Sequence, residues 1–127
     1  ECPLIQRKYL PLQRKDRTTT LNDAIIMVKH IILWKLREDL SAEEKVSVKA
    51  GIKAGLEGLQ GVVPGLLSIQ VQTDGVLPTS NADVMLDCTL ESADALKGYA
   101  QHPAHVEVAN TKVRPYTAVR TCLDFEV

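Results

Sequence analysis

The chain has 127 residues, and its 15 Lys and Arg against 16 Asp and Glu leave a formal net charge of −1. This length suits one small domain with a single core, and the balanced charge argues against a nucleic-acid binder that acts through bulk basic charge. Hydrophobic residues make up 45% and aromatic residues 4%, so the core must be mostly aliphatic. No apolar run approaches the roughly 20 residues of a membrane span. From this and the balanced charge, we expect a cytoplasmic protein without nucleic-acid or membrane partners.

The first 26 residues differ in composition from the rest. They carry five basic and three acidic side chains, a net of +2, which leaves 10 basic and 13 acidic side chains, a net of −3, in residues 27–127. They contain Pro3 and Pro11, show no sustained period and lack the apolar core of a signal peptide. We interpret residues 1–26 as an N-terminal extension, either native or a start-site artefact, ahead of a domain at 27–127.

The three cysteines, Cys2, Cys88 and Cys122, form no C-x-x-C pair and show no Cys/His ligand spacing. Cys88 and Cys122 each lie in an apolar, strand-like run, so we predict buried, reduced thiols. The histidines at 30, 102 and 105 also match no common zinc signature. The sequence therefore predicts neither a metal nor another cofactor.

A strand and a helix follow the extension. Lys29–Leu36 is rich in β-branched residues and apolar on both faces, which predicts a strand. Ser41-Ala42-Glu43-Glu44 forms a capping box, and apolar residues then recur every three or four positions, which predicts an amphipathic helix. We expect Gly61 to end this helix in the left-handed conformation. The helix contains three glycines, Gly51, Gly55 and Gly58. They indicate close packing against the sheet, a cavity wall or simply a weak helix.

The second half of the chain predicts three more strands and two short helices. Leu67, Ile69 and Val71 alternate with polar residues, so we expect them on the buried face of one strand. Ser92 can cap a short helix, and Pro103 suits the first turn of another. The predicted elements are strands at 66–73, 83–90 and 117–127 and helices at about 93–100 and 103–114.

The order β-α-β-β-α(α)-β predicts an α+β protomer with the ferredoxin-like split βαβ arrangement. Helices would then cover one face of a four-stranded antiparallel sheet. The other face would still carry apolar side chains such as Ile31, Leu33 and Met85, and an exposed sheet of that kind favours association. We therefore expect a homodimer that buries two such faces against each other as an α/β barrel.

Two of the three histidines lie close to Tyr99, in the segment Tyr99-Ala100-Gln101-His102-Pro103-Ala104-His105. His102 is expected to cap a helix, and His105 to lie in its first turn, where the helix dipole disfavours the imidazolium form. A neutral imidazole beside the Tyr99 phenol could act as an acid/base pair. Sequence spacing alone favours the alternative, in which the two side chains hydrogen-bond and brace the junction between the helices.

Several segments resemble the stress-responsive α/β-barrel domain (Dabb) family. The most distinctive is His102-Pro103-Ala104-His105-Val106 after Tyr99, and the likeness extends from about Met27 to Val127. The other matching segments are 28–36, Val63-Pro64-Gly65 and Asp124-Phe125. The resemblance implies a ferredoxin-like protomer, a dimeric barrel and a domain that begins at Met27.

One enzyme of this family is a polyketide cyclase, and its catalytic Tyr–His pair falls on Tyr99 and His105. The resemblance implies His105 as a base next to a carbonyl group and Tyr99 as the group that orients it. It also implies a cavity between sheet and helices lined by His30, Ile32, Trp34, Val48, Ile52, Val84, Leu86 and Leu96. Three hypotheses stay open: a protein that binds a small apolar or carbonyl-bearing ligand, a cyclase-like enzyme, and a structural or stress-protective oligomer.

Overall fold

The computed structural model of the protein describes residues 26–127, so residues 1–25 of the predicted extension lie outside it. Four strands form one sheet: β1 (Val28–Leu36), β2 (Leu66–Gln72), β3 (Val84–Leu90) and β4 (Thr117–Glu126). Three α-helices accompany them: α1 (Ala42–Glu57), α2 (Ala93–Gln101) and α3 (Pro103–Val108). A π-helical turn (Ala109–Val113) and a 3-10 turn (Arg114–Tyr116) connect α3 to β4.

The sheet is fully antiparallel, with strand order β2-β3-β1-β4. β1 therefore lies inside the sheet, with β3 on one side and β4 on the other. His30 at its middle pairs with Cys88 of β3 and Asp124 of β4. The predicted ferredoxin-like α+β protomer is confirmed, and β4 is an edge strand whose residues are almost all exposed.

Helix α1 begins as the sequence predicts. The Glu44 amide donates to Ser41 Oγ at 3.1 Å, and the Ser41 amide donates to a Glu44 carboxylate oxygen at 2.7 Å. The predicted end was wrong, because the regular helix stops at Glu57 and turns follow from Gly58. Gly61 does take a positive φ of 82°, but within those turns.

Gly55 marks a close approach of α1 to α3. A Cβ at this position would lie 2.9 Å from Val108 Cγ1, closer than such atoms pack. At Gly51, one turn earlier, the nearest atom would be Lys112 Cδ at 3.8 Å, an ordinary contact. Gly55 therefore does permit close packing, but the prediction of packing against the sheet was wrong, because the neighbour is a helix.

The start of β2 departs from simple alternation. A register shift between Leu66 and Ser68 places Leu66 in the core and leaves Leu67 46% exposed. The prediction that Leu67 shares the buried face of Ile69 and Val71 was therefore wrong. The irregularity inserts an additional residue, and side chains before it change faces relative to a regular strand.

The predicted single helix at 103–114 is divided in two. Pro103 occupies its first turn, as expected, but the α-helical part ends at Val108. The π-helical turn that follows buries both Ala109 and Val113. Pro115 lies just beyond, where its missing amide and ring prevent further helix.

The two faces of the sheet have different surroundings. The helix-covered face holds the aliphatic core, in which Ile32, Leu86 and Ile52 are at most 2% exposed. The opposite face of the sheet, which we call the open face, carries exposed apolar side chains of β1 and β4. They are Leu33, Val119, Leu123 and Phe125, with Ile31 and Met85 partly exposed beside them. None of the helices within 26–127 has the length and apolar character of a membrane span.

The two helix glycines should respond in opposite ways to alanine. We expect Gly51→Ala to raise the free energy of unfolding by up to about 1 kcal/mol, because alanine favours the helix and meets only an ordinary contact. Gly55→Ala should be less stable than Gly51→Ala by about 1 kcal/mol or more, because its methyl group overlaps Val108. Urea denaturation of both variants measures this difference, and equal stabilities would contradict the close approach.

Candidate functional site

A cavity of about 380 Å³ lies between the helix-covered face of the sheet and the segment from α2 to β4. Its sheet side combines the apolar residues Ile32, Trp34 and Leu86 with polar residues of β1 and β4. Its other side includes Tyr99, His105, Ala109 and Val113. Trp34 is part of the wall and does not fill the space.

The structure brings together six of the ten residues that the resemblance implied for the site. His30, Ile32, Trp34, Leu86, Tyr99 and His105 all border this cavity. The other four are elsewhere. Ile52 and Val84 are core residues, Leu96 packs partly buried against the core, and Val48 borders a separate depression beside Tyr116.

His105 is held by the backbone of the preceding helix. Its Nδ1 lies 3.2 Å from the Ala100 carbonyl oxygen, which can only accept, so Nδ1 carries the proton and Nε2 is an acceptor. Partial burial lowers the pKa of His105, the bond to the Ala100 carbonyl offsets part of this, and the nearby His30, Arg114 and Arg120 lower the pKa further. The ring is thus a neutral base, as expected, but burial is the main cause rather than the helix dipole.

Tyr99 contacts His105 through its ring and not through its hydroxyl. The two ring centroids are 4.4 Å apart at an interplanar angle of 43°. The Tyr99 oxygen instead lies 4.0 Å from Cys88 Sγ, which can donate to it weakly. Burial raises the pKa of Tyr99 far above its usual value and that of Cys88 to about 12, so both groups stay protonated at neutral pH. The buried thiol predicted at Cys88 is confirmed.

A second polar group lies where β1 meets β4. His30 Nδ1 is 2.5 Å from Asp124 Oδ1, directly across the strand pair. Cys122 Sγ lies 3.5 Å from the same oxygen and 3.9 Å from His30 Nδ1. Contrary to prediction, Cys122 is exposed, because it lies on the edge strand β4, whose residues are almost all exposed.

These three side chains offer donor atoms of a kind that bind metals, all within 4.8 Å of one another. Sequence spacing could not reveal them, since His30 and Asp124 are 94 positions apart. The only signal was that Cys122 and Asp124, two apart on a strand, face the same side. Arg120 lies beside Cys122 and opposes the pKa increase that burial and Asp124 produce there, so a further cation would meet positive charge.

Two cations that border the cavity were not predicted from the sequence. Arg114, in the 3-10 turn, and Arg120, on the helix-covered side of β4, both border it. The Arg114 guanidinium donates to the Asn110 side-chain oxygen. No Asp or Glu borders this cavity within the described part of the chain.

These features define the class of protein: a ferredoxin-like α+β domain with a small-molecule-sized cavity under its helices. The model of the stress responsive A/B barrel domain matches residues 28–127. The chain therefore belongs to the Dabb family. No curated protein matches it.

Solved structures share the fold. A dimeric protein of unknown function with a ferredoxin-like fold from Bacteroides fragilis is 33% identical, with a TM-score of 0.74 over 80% of this chain and 96% of the other. A Dabb family protein from Mesorhizobium loti is 15% identical, with a TM-score of 0.61 over 79% and 95%. A hydroxynitrile lyase from Passiflora edulis is 17% identical, with a TM-score of 0.62 over 81% and 94%. At identities of 15% and 17%, the last two comparisons show only a shared fold.

Burial of His105 predicts a specific pH dependence of stability. Because its pKa is lowered in the folded state, the unfolded chain binds the proton more readily, and stability falls as the pH drops below about 6.5. His105→Gln, which cannot take the proton, should lose less stability than the wild type between about pH 8 and about pH 5. Urea denaturation across this range measures both slopes, and parallel curves would contradict the prediction.

Proposed function

We propose that this protein is a homodimer that binds a small apolar ligand bearing a carbonyl group in the cavity beside His105. The observation that carries the proposal is the cavity itself, an apolar recess that ends on a neutral imidazole. Its volume of about 380 Å³ lies in the usual range of small-molecule pockets, about 300–1,000 Å³. The cytoplasmic location expected from the sequence stays a prediction.

The lining supports a ligand with two unlike ends. Ile32, Trp34 and Leu86 offer apolar contact but no charge. Polar side chains border the same cavity from both the sheet and the helical segment, and among them His105 is held through Nδ1. Apolar walls with a few fixed polar groups are the usual design of small-molecule sites, in which the polar groups set the orientation.

The open face supports the homodimer. Its apolar members extend over two neighbouring strands, with Leu123 62% and Phe125 42% exposed. The charges on this face are already paired, since Lys29 Nζ lies 2.9 Å from Asp87 Oδ1. The B. fragilis relative is described as dimeric. A second copy of the same face would remove this apolar surface from water.

A second candidate is an enzyme in which His105 transfers protons. The observation that favours it is the free Nε2 of a neutral ring at the cavity, the state that a general base requires. Tyr99 would support the ring by contact rather than by a hydrogen bond. A reaction of the polyketide-cyclase type, proton abstraction next to a carbonyl group, fits these roles, and His105→Ala should then abolish turnover while the dimer persists.

A thermal-shift screen with aliphatic and aromatic ketones tests the ligand proposal. A ligand that binds only the native state raises the apparent melting temperature. We expect hits whose shift is reduced in His105→Ala but kept in Val48→Ala, a variant outside this cavity. If no ketone shifts the wild type, or if both variants respond alike, the ligand proposal fails and the structural oligomer is left.

Light scattering of an open-face variant tests the dimer. We expect Leu123→Arg to convert the protein from twice 14.0 kDa to a 14.0 kDa monomer, because the interface would bury an unpaired charge. Val46→Arg is the matched control, since Val46 is 70% exposed on α1, away from this face. A wild-type monomer, or dissociation caused by both variants, would contradict the proposed interface.

A further inference from the structure

We infer that the ligand of the cavity carries a carboxylate, bound by the guanidinium groups of Arg114 and Arg120. This inference rests on the proposed function and narrows its ligand to a small amphipathic carboxylate. Both arginines border the cavity, and they come from different elements that enclose the same opening. Arg120 pairs with Trp34 across the sheet, on the helix-covered side, so its stem begins at the apolar wall.

Neither guanidinium has an acidic partner among residues 26–127. The ion pairs of this part of the chain involve Lys29, His30, Lys35, Arg37 and Lys53 instead. Arg114 bonds to the neutral Asn110 side chain, which leaves its charge uncompensated. Asp124 is the carboxylate nearest to Arg120 along β4, and it is already engaged by His30.

Among residues 26–127, no Asp, Glu or Lys borders the cavity beside the two arginines. Lys29 and Lys35 lie on the other side of β1, as their alternation with His30 and Trp34 requires. His105 is uncharged at neutral pH. Residues 27–127 as a whole carry a net charge of −3, so the positive opening is a local feature of an otherwise acidic domain.

The chemistry of these groups selects the ligand. A guanidinium presents parallel N–H donors that match the two oxygens of a carboxylate. The apolar wall beside them requires the anion to be one end of an apolar body, since a fully solvated ion would gain nothing from Ile32 or Leu86. The orientation follows: the charged group lies at the arginines and the chain or ring extends along the sheet.

Calorimetric titration of the full chain with hexanoate and hexanamide tests the inference. These probes share their apolar body and differ in charge. We expect hexanoate to bind about tenfold more tightly, a difference of about 1.4 kcal/mol, because only its carboxylate forms hydrogen bonds in which both partners are charged. The preference should decrease with added salt.

Arg120→Gln and Arg114→Gln should each reduce the preference for hexanoate, and Arg120→Lys should keep part of that preference. Lys97→Gln removes the same charge at an exposed position of α2 outside the cavity, so it should leave the preference for hexanoate unchanged.

The outcomes separate this inference from the proposed function. Equal binding of the two probes would overturn the carboxylate while the cavity stays a ligand site. Inorganic phosphate that binds as tightly as hexanoate would overturn the choice of carboxylate, because an apolar body would then be unnecessary. A preference that survives in both arginine-to-glutamine variants, each checked for native circular dichroism, would also overturn it. If neither probe binds and the ketones fail too, both proposals fall.

Discussion

The position of β1 inside the sheet is the constraint on which the rest of this structure depends. Successive side chains of a strand point to opposite faces, and because β1 has a neighbouring strand on each side, these two faces are its only surroundings besides the sheet itself. His30, Ile32 and Trp34 therefore face the helices, and Ile31 and Leu33 face away from them. One strand thus supplies both the apolar wall of the cavity and the centre of the open face, so the two features cannot vary independently.

The helical layer leaves room for the cavity because of how its members are spaced. Gly55 lets α1 approach α3 closely at Val108, while the π-helical turn that follows buries Ala109 and Val113. At the other end of this layer, the Ala100 carbonyl holds His105. Ala100, His105, Ala109 and Val113 of this layer all border the recess. A fold that packed its second helical segment as one regular helix would direct these side chains differently.

Electrostatics inside the site follow from unequal burial. Tyr99 and Cys88 are fully enclosed, so both stay neutral and serve as packing. His105 is only partly enclosed, so it is neutral yet can still reach a ligand. The exposed edge strand β4 then contributes Arg120 where solvent meets the cavity. The result is a gradient from an apolar interior to a positive opening, which is the pattern expected for binding an amphipathic anion.

Local sequence patterns by themselves determined the element order, the alternating faces of β1 and the capping box at Ser41. These depend on neighbours within a few positions along the chain, which a single sequence displays. The displaced face of Leu67, the exposure of Cys122 and the juxtaposition of His30 with Asp124 were decided only by the tertiary structure. Each depends on strand register or on which edge a helix covers, and contacts between residues 94 apart leave no local pattern. The tertiary structure also places Arg114, from a turn, and Arg120, from an edge strand, at the same cavity. Val48 and Leu96 have suitable positions on their helices but do not border it.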